Sequence, residues 1–139
     1  MDKLYTAKAT ATGGRNGHVK SHDGALEVDV RVPKEMGGPS GTYLNPETLF
    51  AAGYAACFDS ALSLIIRTQK VEAGQTSVTA QVSIGKNEDG GFGLAVVLEV
   101  QIPGVERSKA EELVEKAHQV CPYSNATRGN IQVDLKIIE

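Results

Sequence analysis

Asn45-Pro46-Glu47-Thr48-Leu49-Phe50-Ala51-Ala52-Gly53-Tyr54-Ala55-Ala56-Cys57-Phe58 opens the longest apolar stretch of the chain. Asn45 suits a helix N-cap, and Pro46 suits the first helical position, where its missing N–H leaves no bond unmade. The pattern predicts a helix running to about Lys70. From Leu49 to Ile66 that helix is apolar nearly all round, so it must be covered on most sides. A chain of 139 residues has little material to spare for this. A partner subunit is therefore expected to supply part of the cover. Asn45, Pro46, Glu47, Asp59 and Arg67 interrupt the run, which argues against a membrane-spanning role.

Outward from this helix, period-two alternation predicts strands. In Leu26-Glu27-Val28-Asp29-Val30-Arg31-Val32 the even positions are apolar and the odd ones charged, as in a sheet with one wet face. Val78 to Ile84, Leu94 to Ile102 and Ile131 to Ile138 alternate in the same way, and Tyr5 to Thr12 and the segment around Val19 are weaker candidates. Asn87-Glu88-Asp89-Gly90-Gly91 reads as a hairpin connection. A second helix is signalled by Ser108-Lys109-Ala110-Glu111, a capping box. Ala110, Leu113, Val114, Ala117 and Cys121 then share one helical face. The expected class is α+β, in one domain over residues 1–139.

The composition narrows the function. A 41% apolar and 22% charged chain is an ordinary globular one. A net charge of -3, without a basic cluster, argues against nucleic-acid binding. The first residues have no apolar signal core, and a cytoplasmic location is the default. In that compartment two cysteines are more often catalytic, metal-bound or simply packed than permanently bridged.

Cys57 lies in the apolar helix, and Cys121 closes the second helical pattern just before Pro122. Burial alone raises a thiol pKa and makes the sulfur inert. Arg15, in Gly13-Gly14-Arg15-Asn16-Gly17, sits where glycines let the backbone turn and project one long side chain. Glu47 falls in the first turn of the apolar helix, a position that favours a carboxylate for the helix dipole alone. Together these residues suit one chemical task. A guanidinium held by a carboxylate would stabilise a Cys57 thiolate. That thiolate can attack a peroxide bond and become a sulfenic acid, which a second thiol, Cys121, condenses to a disulfide. Tyr123, Phe58 and Phe92 are candidates for lining a pocket, with core packing as the competing reading.

Tyr43 to Phe58 resembles the signature of the organic hydroperoxide resistance (Ohr) family of the Ohr/OsmC superfamily. Val120-Cys121-Pro122-Tyr123-Ser124-Asn125-Ala126 resembles the segment around that family's second cysteine, and Ala11 to Gly17 its arginine loop. The resemblance implies an OsmC-like fold, with antiparallel sheets packed around long central helices in an intertwined homodimer. It implies Cys57 as peroxidatic cysteine, Cys121 as resolving cysteine, Arg15 as activating cation and Glu47 as its partner. It further implies reduction of alkyl and fatty-acid hydroperoxides, with a lipoylated protein or dihydrolipoamide as reductant and no metal, flavin or haem.

Rival readings remain open. Cys57, Cys121, His118, His22 and His18 are available metal ligands, though without metal-site spacing. His118, three residues before Cys121, would be the base of a Cys-His hydrolase. A redox sensor without turnover, or an OsmC-branch peroxidase, would use the same thiols.

Overall fold

The alternating segments become two separate three-stranded sheets. The computed structural model describes residues 1–139, which divide into two units, Met1–Leu49 and Phe50–Glu139. In the first unit β1 (Ala9–Thr12), β2 (His18–Ser21) and β3 (Glu27–Asp29) pair antiparallel in chain order. Thr12 pairs with His18, so the arginine loop is the turn between β1 and β2. The expected strand from Tyr5 begins only at Ala9, which pairs with Ser21. Beyond this pair the His22 N–H still donates to the Lys8 carbonyl at 2.8 Å, and the partner then turns, with the Gly24 N–H donating to the Ser21 carbonyl at 3.0 Å. The strand expected over Leu26 to Val32 is likewise short, and Val30 instead bridges Leu44 in parallel while lying buried.

Helix α1 (Pro46–Thr68) starts in this unit and continues into the second. Its start is as the sequence predicts: the Thr48 N–H donates to Asn45 Oδ1 at 2.8 Å. It ends at Thr68, because Lys70 takes a left-handed conformation with φ 56°.

In the second unit β4 (Ser77–Lys86) and β5 (Phe92–Gln101) form the expected hairpin, closed by the Asn87 N–H donating to the Gly91 carbonyl. Helices α2 (Arg107–Val120) and α3 (Pro122–Thr127) follow. They carry the chain back so that β6 (Val133–Ile137) lies parallel to β5. The sheets are therefore not purely antiparallel: a helical crossover permits a parallel neighbour that a short turn cannot. The capping box is also corrected. Glu106 is the N-cap of α2, Ser108 lies inside the helix with its hydroxyl donating to the Glu106 carboxylate, and Glu111 pairs with Arg107 at 3.2 Å. Starting two residues earlier lets the helix add this i,i+4 ion pair.

The core of this unit joins Val96, Leu98 and Val100 of β5 to Leu113, Val114 and Ala117 of α2 and to Tyr54, Phe58 and Leu62 of α1. Each wholly buried side chain of this size contributes about 1.5–3 kcal/mol. Within α1 only Tyr54, Phe58, Ala61 and Leu62 are buried, and Leu64 is 46% exposed. Phe50, Cys57, Ile65 and Ile66 pack against this core only in part, so the apolar surface of α1 is incompletely covered. By length and by a mean hydropathy of 1.7, α1 would suffice to cross a membrane. Asp59 in its middle, however, accepts a hydrogen bond from the Thr76 hydroxyl at 2.5 Å.

Candidate active site

Cys57 sits on α1 one turn beyond Tyr54, and Cys121 forms the elbow between α2 and α3. Pro122 disfavours helical backbone at the residue before it, and Cys121 accordingly adopts φ -63°, ψ 123°. This break turns the chain so that the wholly buried Cys121 thiol points at the half-buried Cys57 sulfur, 3.5 Å away. Both cysteines are free. About 1.5 Å of further approach would bring them to disulfide distance.

Burial pushes the Cys57 thiol pKa up, opposed by the backbone N–H of Tyr123, while the neighbouring Cys121 thiol raises it further. The residues around the sulfur within its own unit therefore leave it protonated at neutral pH, and a thiolate needs another cation. Cys57 lines a groove of about 450 Å³ with Ala61, Leu64, Val120 and Pro122 as its apolar walls and Ser60, Ser63 and Arg67 as its polar ones.

In the other unit the arginine loop is built as the sequence predicts. Gly13 and Gly14 take φ 79° and 61°, which side chains resist. At Gly17 a Cβ would lie 1.7 Å from the Thr12 carbonyl oxygen. The loop presents Arg15 to Glu47 as a two-pronged pair, Nη1 to Oε2 at 2.8 Å and Nη2 to Oε1 at 2.6 Å. Each partner favours the other's charge: the Glu47 carboxyl falls below its ordinary pKa and the Arg15 guanidinium rises. A fork bound at both prongs has one orientation.

Behind the thiols lies a polar cluster that the sequence reading missed. Tyr54 Oη is 2.9 Å from Ser124 Oγ and 3.1 Å from Thr127 Oγ1, and His118 Nδ1 is 2.8 Å from Ser124 Oγ. Ser124 is fully buried and Thr127 nearly so. The available signal was the repeat of hydroxyls at positions 124 and 127, three residues apart and one turn past Cys121. His118 thus bonds to Ser124, and His18 lies between Asp29 and Glu27 while His22 contacts Thr10. No three His, Cys, Asp or Glu side chains are grouped to hold a metal ion. Of the aromatic candidates, Phe58 is core, Tyr123 packs on Phe50 and Tyr54, and Phe92 is 65% exposed at the hairpin.

Residues 37–136 match the family described as OsmC-like protein. The chain is 54% identical over 141 residues to the organic hydroperoxide resistance protein OhrA of Bacillus subtilis (strain 168), covering 98% of this chain and 97% of that one. It is 51% identical over 135 residues to the organic hydroperoxide resistance protein of Xanthomonas axonopodis pv. citri (strain 306), covering 96% and 94%. The crystal structure of an organic hydroperoxide resistance protein from Elizabethkingia anophelis is 64% identical, covers 99% of this chain and 98% of its own, and superposes with a TM-score of 0.95. With two thiols in reach of each other and likeness over almost its whole length, the chain belongs to the organic hydroperoxide resistance branch of the OsmC-like protein family.

Proposed function

We propose that this protein is a thiol peroxidase that reduces alkyl and fatty-acid hydroperoxides to alcohols. The observation that carries the reading is the 3.5 Å approach of Cys57 to Cys121 across a break between two helices. The Cys57 thiolate attacks the outer oxygen of R–O–O–H. The O–O bond breaks, sulfur is oxidised to sulfenic acid, and the alkoxide leaves with a proton as the alcohol. Cys121 then attacks the Cys57 sulfur, water departs, and a disulfide forms.

Arg15, oriented by Glu47, is the proposed cation that lowers the Cys57 pKa and stabilises the departing alkoxide. Glu47 and Cys57 lie on one unbroken helix, about 15 Å apart by its rise. The pair is therefore proposed to serve the Cys57 of a second copy, in a homodimer that also covers the open face of α1. The whole chain is proposed to act as one domain, in keeping with relatives that match it nearly end to end. The apolar groove favours an alkyl tail at about 0.8 kcal/mol per buried CH₂.

A dithiol of the lipoyl type is the proposed reductant, and the cytoplasm the proposed site of action. Such a dithiol attacks the more accessible Cys57 sulfur, and its second thiol then releases the mixed disulfide. Rapid-mixing oxidation by cumene hydroperoxide, followed by cycling with dihydrolipoamide, tests the reading. Fast oxidation with many turnovers is expected. A single stoichiometric oxidation without cycling would make the protein a sensor instead.

A further inference from the structure

The hydroxyl cluster behind the thiols has only one self-consistent direction. Thr127 Oγ1 donates to the Ser124 carbonyl at 3.2 Å, so toward Tyr54 it can only accept. The Tyr54 proton therefore goes to Thr127, and Tyr54 Oη accepts from Ser124. The Ser124 proton is then spent, which leaves His118 Nδ1 as the donor to Ser124. The resulting chain runs from His118 on α2 through Ser124 on α3 to Tyr54 on α1 and ends at Thr127. No buried side-chain polar atom is left without a partner. Burial and nearby Arg128 lower the His118 pKa, but Nδ1 donates whether the ring is neutral or charged. The chain thus persists through that titration.

Its position gives it a task. Tyr54 stands one helical turn before Cys57, and Ser124 one turn after Cys121. The Tyr54–Ser124 bond therefore joins α1 and α3 one turn away from where their sulfurs meet. Arg128 closes the same elbow from the other side, donating to the His118 carbonyl and, at 2.9 Å, to Asn125 Oδ1.

We infer that Tyr54, Ser124, Thr127 and His118 form a positioning clamp that sets the rate at which Cys121 resolves oxidised Cys57. The inference deepens the peroxidase reading and rests on it for the step it accelerates. The clamp touches neither substrate nor peroxide oxygen and acts through the placement of the second thiol. Resolution by attack on Cys57 sulfur gains from a thiol already in near-attack geometry, and small misplacements cost about a hundredfold.

Its test does not need a peroxide. Reduced protein is mixed with excess 5,5′-dithiobis(2-nitrobenzoate). Cys57 attacks the reagent disulfide and releases one thionitrobenzoate, and Cys121 then attacks the Cys57 sulfur of the mixed disulfide and releases the second. In Tyr54→Phe the first release is expected at the native rate, and the second slower by about ten- to a hundredfold. Tyr54→Phe combined with Ser124→Ala should be no slower than the worse single variant, because the bonds act as one chain. A native second release in folded Tyr54→Phe, or equal slowing of both releases, would overturn the clamp. Should Tyr54→Phe not fold, Thr127→Val is read in the same way. Two prompt releases from the native protein, without hydroperoxide turnover on dihydrolipoamide, would sink the peroxidase reading while leaving the clamp standing.

Discussion

Oxidation should make this protein more heat-stable, by an amount that the sequence separation of its thiols sets. The two cysteines are 64 residues apart in the chain. Joining them removes loop-closure entropy from the unfolded state worth about 4 kcal/mol at 25 °C. For a chain of this length each kcal/mol moves the melting temperature by roughly 3–4 °C, so a rise of about 15 °C is the upper expectation. Strain works against it, since the sulfurs must close from 3.5 Å to about 2.0 Å. That strain should be modest, because Pro122, which follows Cys121, is exposed. The assay is a thermal melt of fully reduced protein and of protein oxidised by one equivalent of hydroperoxide, at equal protein concentration. Mass spectrometry confirms the loss of two hydrogens. Cys121→Ser should show no such rise and should progress to sulfinic acid under excess peroxide. An oxidised form with the bridge in place that melts at or below the reduced form would refute the entropic reasoning. Failure of the bridge to form would refute the pairing itself.

Other perturbations test the remaining parts. Arg15→Ala should raise the Cys57 pKa, followed by ultraviolet thiolate absorbance, and slow oxidation severely; an unchanged titration would remove Arg15 from the site. The Glu47 carboxyl has a lowered folded pKa, so its pair with Arg15 stabilises above the unfolded carboxylate value and loses this as pH falls through the folded one. Denaturant melts of native protein and Glu47→Gln should therefore differ by up to about 1 kcal/mol at pH 7. They should converge in acid below about pH 4, and a constant gap would show that the charge is irrelevant. At Gly53 an added Cβ would lie 2.9 Å from the Tyr123 hydroxyl. Gly53→Ala gains about 1 kcal/mol of helix propensity but displaces the Tyr123 ring, leaving stability near native. Peroxidase rate should fall, because the Tyr123 N–H on the Cys57 sulfur shifts with the ring; a native rate would show that the ring moves alone.

Local signals were legible wherever one segment contained both the cause and the result. The Asn45 cap, the Pro46 start, the hairpin at Asn87 to Gly91 and the glycines around Arg15 each act within a few residues. Both thiols stood out by residue type, whereas Arg15 and Glu47 read locally as a solvated loop arginine and a helix-end charge, and the family resemblance is what joined them. Ser108 misled because a capping box competes with an N-cap two residues earlier, where Arg107 gains a partner in Glu111.

Residue order alone determined the apolar excess of α1, the N-cap that begins it, and the proline that breaks the helix at Cys121. Tertiary structure decided that β6 runs parallel to β5, that the two sulfurs meet, and that four polar side chains from three helices share their protons in one direction. The physical reason is range. Caps, turns and periodicity are contests between neighbouring residues, whereas a 3.5 Å approach across 64 residues of chain exists only once the core has packed around it.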